Sequence, residues 1–247
     1  MQSWVRRAAF GVESFFSRAL TQPWRSHRRF EEYYVGRILR DLQVDCVLDV
    51  GANSGQYALM LREYSGYQGR IISFEPVPGV VAALRKNSDR DPLWHVQPVA
   101  LGNTSGRATF RTMPSATEGS SFLALRQEDQ PEIVPVEVEV RRLAELLPEL
   151  QREHGFSRPF LKMDTQGFDL EVFAGAGDAI KTVVGLQSEL SVDPFYAGAP
   201  DWQHALSIYR NAGFVLSTLF ANNLDWFPKL REIDCVMYRP ECYSGPA

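Results

Sequence analysis

Short apolar runs alternating with helical spacings govern this chain. Cys46-Val47-Leu48-Asp49-Val50 is a β-branched and aliphatic run of the kind found in buried parallel strands, and it stops at Gly51. Apolar positions then resume at helical intervals at Tyr57, Leu59, Met60 and Leu61. The alternation repeats downstream. It predicts strands at 70–75, 94–99, 160–164 and 183–190, and helices at 80–87, 141–152, 168–173 and 204–211. Segments 108–111 and 134–140 alternate apolar and polar residues as half-exposed strands do, with a Ser/Thr/Glu-rich loop at 115–130 between them. They predict a β-hairpin insertion. The last two apolar segments, 214–220 and 233–239, are close enough to form an antiparallel pair. Alternating strands and helices predict an α/β fold with a doubly wound, mostly parallel sheet.

The first residues follow another pattern. Trp4, Val5, Ala8, Val12, Phe15, Phe16, Ala19 and Leu20 recur at helical spacing, while Arg6, Arg7, Arg18, Arg25, Arg28 and Arg29 face one early acid, Glu13. Glu13 and Arg18 interrupt the apolar stretch that a signal peptide needs. A basic amphipathic helix can pack back on its own domain as a lid, dock on a partner, or lie on a membrane surface. A second helix is expected over 28–42. The chain thus divides into an N-terminal helical segment, 1–38, and one α/β domain, 39–247.

Composition narrows the classes. A chain of 247 residues, 45% hydrophobic and 23% charged, suits one globular domain with a full core. A net charge of −4 argues against a general nucleic-acid binder. Cys46, Cys235 and Cys242 leave an odd count, and the first two fall inside expected strands, which points to buried thiols in a reducing, cytoplasmic setting. No Cys/His cluster suggests zinc; a divalent cation stays open as a way to acidify a hydroxyl but is not indicated, and no apolar run approaches the roughly 18–20 residues of a bilayer span.

The chemistry concentrates after the first strand. The turn Gly51-Ala52-Asn53-Ser54-Gly55 places backbone N–H groups and a helix start at the carboxyl edge of a sheet, where small charged ligands collect. Twenty residues after Gly55, Glu75 closes the second strand, and a carboxylate there can accept from both hydroxyls of a ribose. A dinucleotide fingerprint needs glycines where Asn53 and Gln56 stand, so NAD fits poorly. S-adenosylmethionine carries no phosphate and is the favoured ligand, with Asp49, Gly51, Asn53, Gly55 and Glu75 around it. Ala100 and Leu101, after the third strand, are the expected adenine contacts.

Four segments fall in one order: Leu48-Asp49-Val50-Gly51-Ala52-Asn53-Ser54-Gly55, Phe74-Glu75-Pro76, Ala100-Leu101-Gly102, and Leu161 through Val172 with Lys162-Met163-Asp164-Thr165-Gln166-Gly167 inside it. Together they resemble the FkbM family of S-adenosylmethionine-dependent methyltransferases over about residues 39–239. The resemblance implies a Rossmann-like methyltransferase sheet with an antiparallel C-terminal strand, and O-methylation of sugar or natural-product hydroxyls. Gln166 departs from it, because the family motif usually has a glutamate there.

Methyl transfer to a hydroxyl benefits from a positioned base. Asp164 and Glu189, both at strand ends, are candidates, and Asp164 also stands beside the cofactor. His27 can serve from the N-terminal segment if that closes over the site. Ser121, Tyr196 and Trp226 are candidates for holding a small-molecule or saccharide acceptor, since aromatic planes stack on sugar C–H faces. Two other readings stay open: methylation of nitrogen or a carboxylate, and a nucleoside-binding scaffold without turnover.

Overall fold

Every residue of β1 (Cys46–Val50) is buried, because the strand pairs in parallel on both sides, with β2 (Arg70–Phe74) and β7 (Pro159–Met163). Helices cover both faces of this triplet, which is why its strands read as unbroken apolar runs. The computed structural model describes residues 23–126, 132–222 and 228–244, with side chains from Arg29 onward. The remaining strands are β3 (Trp94–Gln97), β4 (Ala100–Leu101), β5 (Gly106–Thr112), β6 (Val134–Arg141), β8 (Gly185–Ser191), β9 (Val215–Asn222) and β10 (Glu232–Tyr238). A seven-stranded sheet runs β3-β2-β1-β7-β8-β10-β9, and β10 is antiparallel to both its neighbours. This is the mostly parallel Rossmann-like sheet with a reversed C-terminal strand that the sequence predicted. The insertion is present too: β5 and β6 pair antiparallel, and β4 joins β6 to complete a three-stranded sheet.

Alternation along the strands splits the core. Leu48, Val50, Leu161 and Met163 face α4 (Leu143–His154), α5 (Asp169–Gly175) and α6 (Trp202–Asn211). Val47, Ile71 and Phe160 face α1 (Pro23–Asp41), α2 (Gln56–Glu63) and, through Leu84, α3 (Pro78–Ser88). Helix α1 starts earlier than expected and runs unbroken across position 38, where the domain boundary was placed, burying Val35, Ile38 and Leu39 against the sheet. The third strand ends at Gln97 instead of 99. Pro98 has no N–H to continue the ladder, and the Val99 amide turns back to Gln97 O at 2.9 Å. The apolar pattern at 4–20 and the candidate Trp226 lie outside the described residues. Among the described residues no helix is long and apolar enough to cross a membrane.

One row breaks the apolar pattern. Register pairs Ser73 with Asp49, Asp49 with Lys162, and Lys162 with Gln187, so four polar side chains stand side by side across β2, β1, β7 and β8. All four are buried. They lie near the carboxyl ends of the strands, on the face covered by α1 and α2.

Candidate active site

A cavity of about 970 Å³ opens above that row. Its volume lies in the range of small-molecule sites. The turn after β1 supplies Gly51, Ala52 and Asn53, the end of β2 supplies Glu75, and Ala100 and Leu101 form an apolar wall. Lys162, Asp164 and Gln166 enter from β7 and the turn that follows it, Thr117, Glu118 and Phe122 from the insertion, and Asp234 from β10. Helix α1 adds Glu31 and Glu32. Among the described residues six carboxylates therefore line the cavity against one ammonium, counting Glu31, Glu32, Glu75, Glu118, Asp164 and Asp234 against Lys162.

Glu75 is held from both ends. Its Oε2 accepts from Asn53 N at 3.1 Å and its Oε1 from Val77 N at 2.9 Å. Burial pushes its pKa up, and those two amides offset only part of the rise. Asn53 sits at φ 47°, its amide Nδ2 donating to Thr117 Oγ1 at 3.1 Å and its Oδ1 accepting from Ser54 N at 2.7 Å. The free turn amides expected from the sequence are not there. Gly51 N and Ala52 N both donate to Phe74 O, Gly55 N donates to Ala52 O, and Asn53 N and Ser54 N are taken as above. The turn closes on the end of β2 and offers the cavity its close approach and the Asn53 side chain. Gly55 lies behind it, where a Cβ would stand 2.6 Å from the Trp94 ring, so its place is a packing contact.

Asp49, expected at the cofactor, is fully buried beneath the cavity floor. Its Oδ2 accepts from Ser73 Oγ at 3.0 Å, itself held by Trp94 Nε1 at 2.9 Å. Its Oδ1 lies 3.2 Å from Lys162 Nζ, an ion pair without hydrogen-bond alignment, and has no other donor among the described residues. Lys162 Nζ is also 3.6 Å from Asp164 Oδ2 and 5.2 Å from the centre of the Tyr57 ring. Burial opposes the lysine charge, but the Asp49 and Asp164 carboxylates outweigh it and hold its pKa above the ordinary value. Tyr57 donates to Gln187 Oε1 at 2.9 Å, and Gln187 donates to Glu31 at 3.3 Å, which ties α1 to the row.

The other candidates divide. Asp164 lines the cavity, with its side chain 39% exposed. Glu189 stands one layer behind, accepting from Gln166 Nε2 at 2.7 Å and Asn222 Nδ2 at 3.0 Å. Glu189 and Asp234 keep some surface open yet sit deep in the protein. Burial, then neighbouring carboxylates for Glu189 and Glu31 for Asp234, raises their pKa values well above the carboxylate range. Ser121 and Tyr196, expected at the acceptor, are 1% and 4% exposed and support Gln166 from behind. His27 lies in α1, and its side chain is not among those described. Among the described residues no group of three or more His, Cys, Asp and Glu is placed to hold a metal. Sequence reasoning missed Ser73 and Gln187, and the pairing of Lys162. Each is a polar residue inside an apolar run, and that interruption was the available signal.

Asp169 braces the base of this turn. It accepts from Thr165 N at 2.9 Å, from Thr165 Oγ1, and from Ser188 Oγ at 2.7 Å. Burial nevertheless pushes its pKa from 3.8 up to about 6. A raised carboxyl pKa means that the folded state binds the extra proton, so stability falls as pH rises from about 4 through about 6 and is level above. At 1.36 kcal/mol per pKa unit, that slope amounts to at most about 3 kcal/mol. Urea unfolding of wild type and Asp169→Asn at pH 4.5 and 7.5 should show the slope reduced in the variant; an identical pH dependence would remove Asp169 from the account.

Fold and domain match together place the chain among the methyltransferases. The chain belongs to the FkbM family: the methyltransferase FkbM domain matches residues 49–216, from the end of β1 to the start of β9. Solved structures align at low identity. Aeropyrum pernix fibrillarin with natively bound S-adenosyl-L-methionine is 12% identical over 78% of this chain and 66% of that one, just under two thirds of its length, with a TM-score of 0.43. Magnesium protoporphyrin IX methyltransferase from Synechocystis PCC 6803, with bound S-adenosylmethionine, is 9% identical over 87% and 81%, TM-score 0.48. An O-methyltransferase from Bacillus cereus, in complex with S-adenosylhomocysteine, is 11% identical over 85% and 81%, TM-score 0.45. No curated protein matches the chain significantly.

Proposed function

We propose that this enzyme methylates a hydroxyl of a small-molecule acceptor, a saccharide or secondary metabolite, and that the 970 Å³ cavity holds both cofactor and acceptor. The observation that carries the reading is Glu75: a buried carboxylate at a strand end, fixed by two backbone amides and facing the cavity. Its remaining lone pairs suit the two hydroxyls of a ribose. Ala100 and Leu101 suit the adenine, and Asn53 and Gln56 the amino-acid tail. The acid-rich lining suits a cationic sulfonium. S-adenosylmethionine supplies an electrophilic methyl on positively charged sulfur.

Asp164 is the base in this reading. It is the carboxylate of the Lys162–Gln166 segment that reaches the cavity, and Lys162 and Gln166 hold its two oxygens. Taking the acceptor proton at that carboxylate contributes typically 10²–10⁴-fold, on top of the alignment that the walls impose. Glu31 and Glu32 of α1 and Glu118 of the insertion, as hydrogen-bond acceptors, fit a polyhydroxylated acceptor. The buried thiols of Cys46 and Cys235 suit a reducing cytoplasm.

Calorimetric titration with S-adenosylhomocysteine tests the reading. Glu75→Ala should weaken binding by about 2–3 kcal/mol, on the order of 10²-fold, through loss of charge-assisted hydrogen bonds. NAD should not bind. Equal affinity in wild type and variant would move the nucleoside elsewhere.

A further inference from the structure

Gln166 lies in the turn after β7, and the structure surrounds it with more constraint than a loop residue needs. Its backbone is left-handed, φ 53°, a conformation that a non-glycine side chain takes at a cost and keeps only when its surroundings enforce it. Its amide Nε2 lies 3.1 Å from Asp164 Oδ1 and 2.7 Å from Glu189 Oε2. Carboxylates are acceptors, so the NH2 end must face them, with one hydrogen for each. The other end is fixed as well: the Tyr196 hydroxyl, 2.9 Å from Gln166 Oε1, is shared with Gly119 O at 2.7 Å. The Ser121 hydroxyl donates to the Gln166 carbonyl at 2.9 Å.

We propose that Gln166 is a positioning residue whose amide stands between Asp164 and Glu189 where a cation would otherwise balance two facing carboxylates, and so presents Asp164 to the cavity. The inference rests on Asp164 being the base. It gives Glu189, Ser121 and Tyr196 one common task, since each bonds Gln166 and none lines the cavity. It also states what a glutamate at this position would do. A third carboxylate at this position would face two others with no donor between them, an arrangement suited to a hard divalent cation with oxygen ligands.

The test compares wild type, Gln166→Ala and Gln166→Glu. S-adenosylhomocysteine affinity should stay within about threefold in all three, which shows the pocket folded; its absence from wild type would defeat the proposed function instead of this inference. Calorimetric titration with Mn²⁺ should give binding in Gln166→Glu, no heat in wild type, and loss of that binding when Asp164→Asn is added. Stability against pH supplies a reading that a merely structural residue would not move. The titratable groups facing the pair are Lys162 and Asp169 around Asp164, and Glu232, Asp234 and Tyr196 around Glu189. Without the amide Glu189 loses a donor while burial and the facing Asp164 carboxylate still act on it, so its folded pKa rises further and stability is lost as pH climbs. The urea midpoint of Gln166→Ala should therefore fall more steeply than wild type between pH 5 and 8. A Gln166→Glu protein that binds S-adenosylhomocysteine but not Mn²⁺, or a Gln166→Ala slope equal to wild type, overturns the proposal.

Discussion

Lys162→Met should cost about 3–5 kcal/mol of stability, because it strands a carboxylate that has no access to water. Asp49 is 0% exposed and Lys162 6%. The pair stands at 3.2 Å in the middle of the sheet, and Oδ1 of Asp49 has no other donor among the described residues. Removing one charge of a buried pair costs far more than removing both, so Lys162→Met combined with Asp49→Asn should recover much of the loss. The lysine pKa is raised, so its stabilising contribution is complete below its ordinary value near 10.4 and fades only at higher pH. The Lys162 charge itself should therefore contribute no pH dependence between pH 6 and 9. Urea unfolding of the single and double variants measures both statements; a single-variant loss under 1 kcal/mol would show that water reaches the row.

Gly51→Ala should destabilise by about 2–5 kcal/mol and abolish S-adenosylhomocysteine binding. The residue sits at φ 74°, and an added Cβ would stand 1.9 Å from the carbonyl oxygen of Asp164. That oxygen belongs to backbone, so it cannot swing aside as a flexible side chain would. Relief requires the ends of β1 and β7 to separate, against the Asp164 N to Val50 O bond of 3.2 Å. Left-handed backbone contributes roughly 1–2 kcal/mol and overpacking roughly 1–3. Gly66→Ala isolates the first contribution: its φ is 70°, with nothing within 4 Å of the added carbon. Thermal unfolding should place Gly66→Ala near 1 kcal/mol with cofactor binding intact. Equal losses in the two variants would mean that the approach of Gly51 to the end of β7 is not tight.

The sheet was legible because parallel strands buried on two faces leave continuous apolar runs, as in Val47-Leu48 and Phe160-Leu161. Glu75 was legible because spacing alone puts an acid at the end of the second strand. The polar row was not, since Ser73, Asp49, Lys162 and Gln187 meet only through register between strands far apart in sequence. The occupied turn amides escaped for a similar reason: their acceptor, Phe74 O, lies on the neighbouring strand. Ser121 and Tyr196 were read by side-chain chemistry as acceptor contacts. The same hydroxyls serve equally well as donors to a glutamine, and only burial decides between the two uses.

The strand order has a consequence for how the site comes into being. β8 and β9 are separated in the sheet by β10, which follows both in sequence, so the far edge of the sheet closes only once β10 inserts between two strands that precede it. The cavity wall likewise reaches from Glu31 in α1 to Asp234 in β10. The lining thus joins residues about two hundred positions apart, and such long-range pairing is slow to assemble. Ligand binding and global folding are then one equilibrium. Saturating S-adenosylhomocysteine at a hundred times its Kd should protect the whole chain from unfolding by about 2.7 kcal/mol, with hydrogen exchange slowed at β3 and β9 alike.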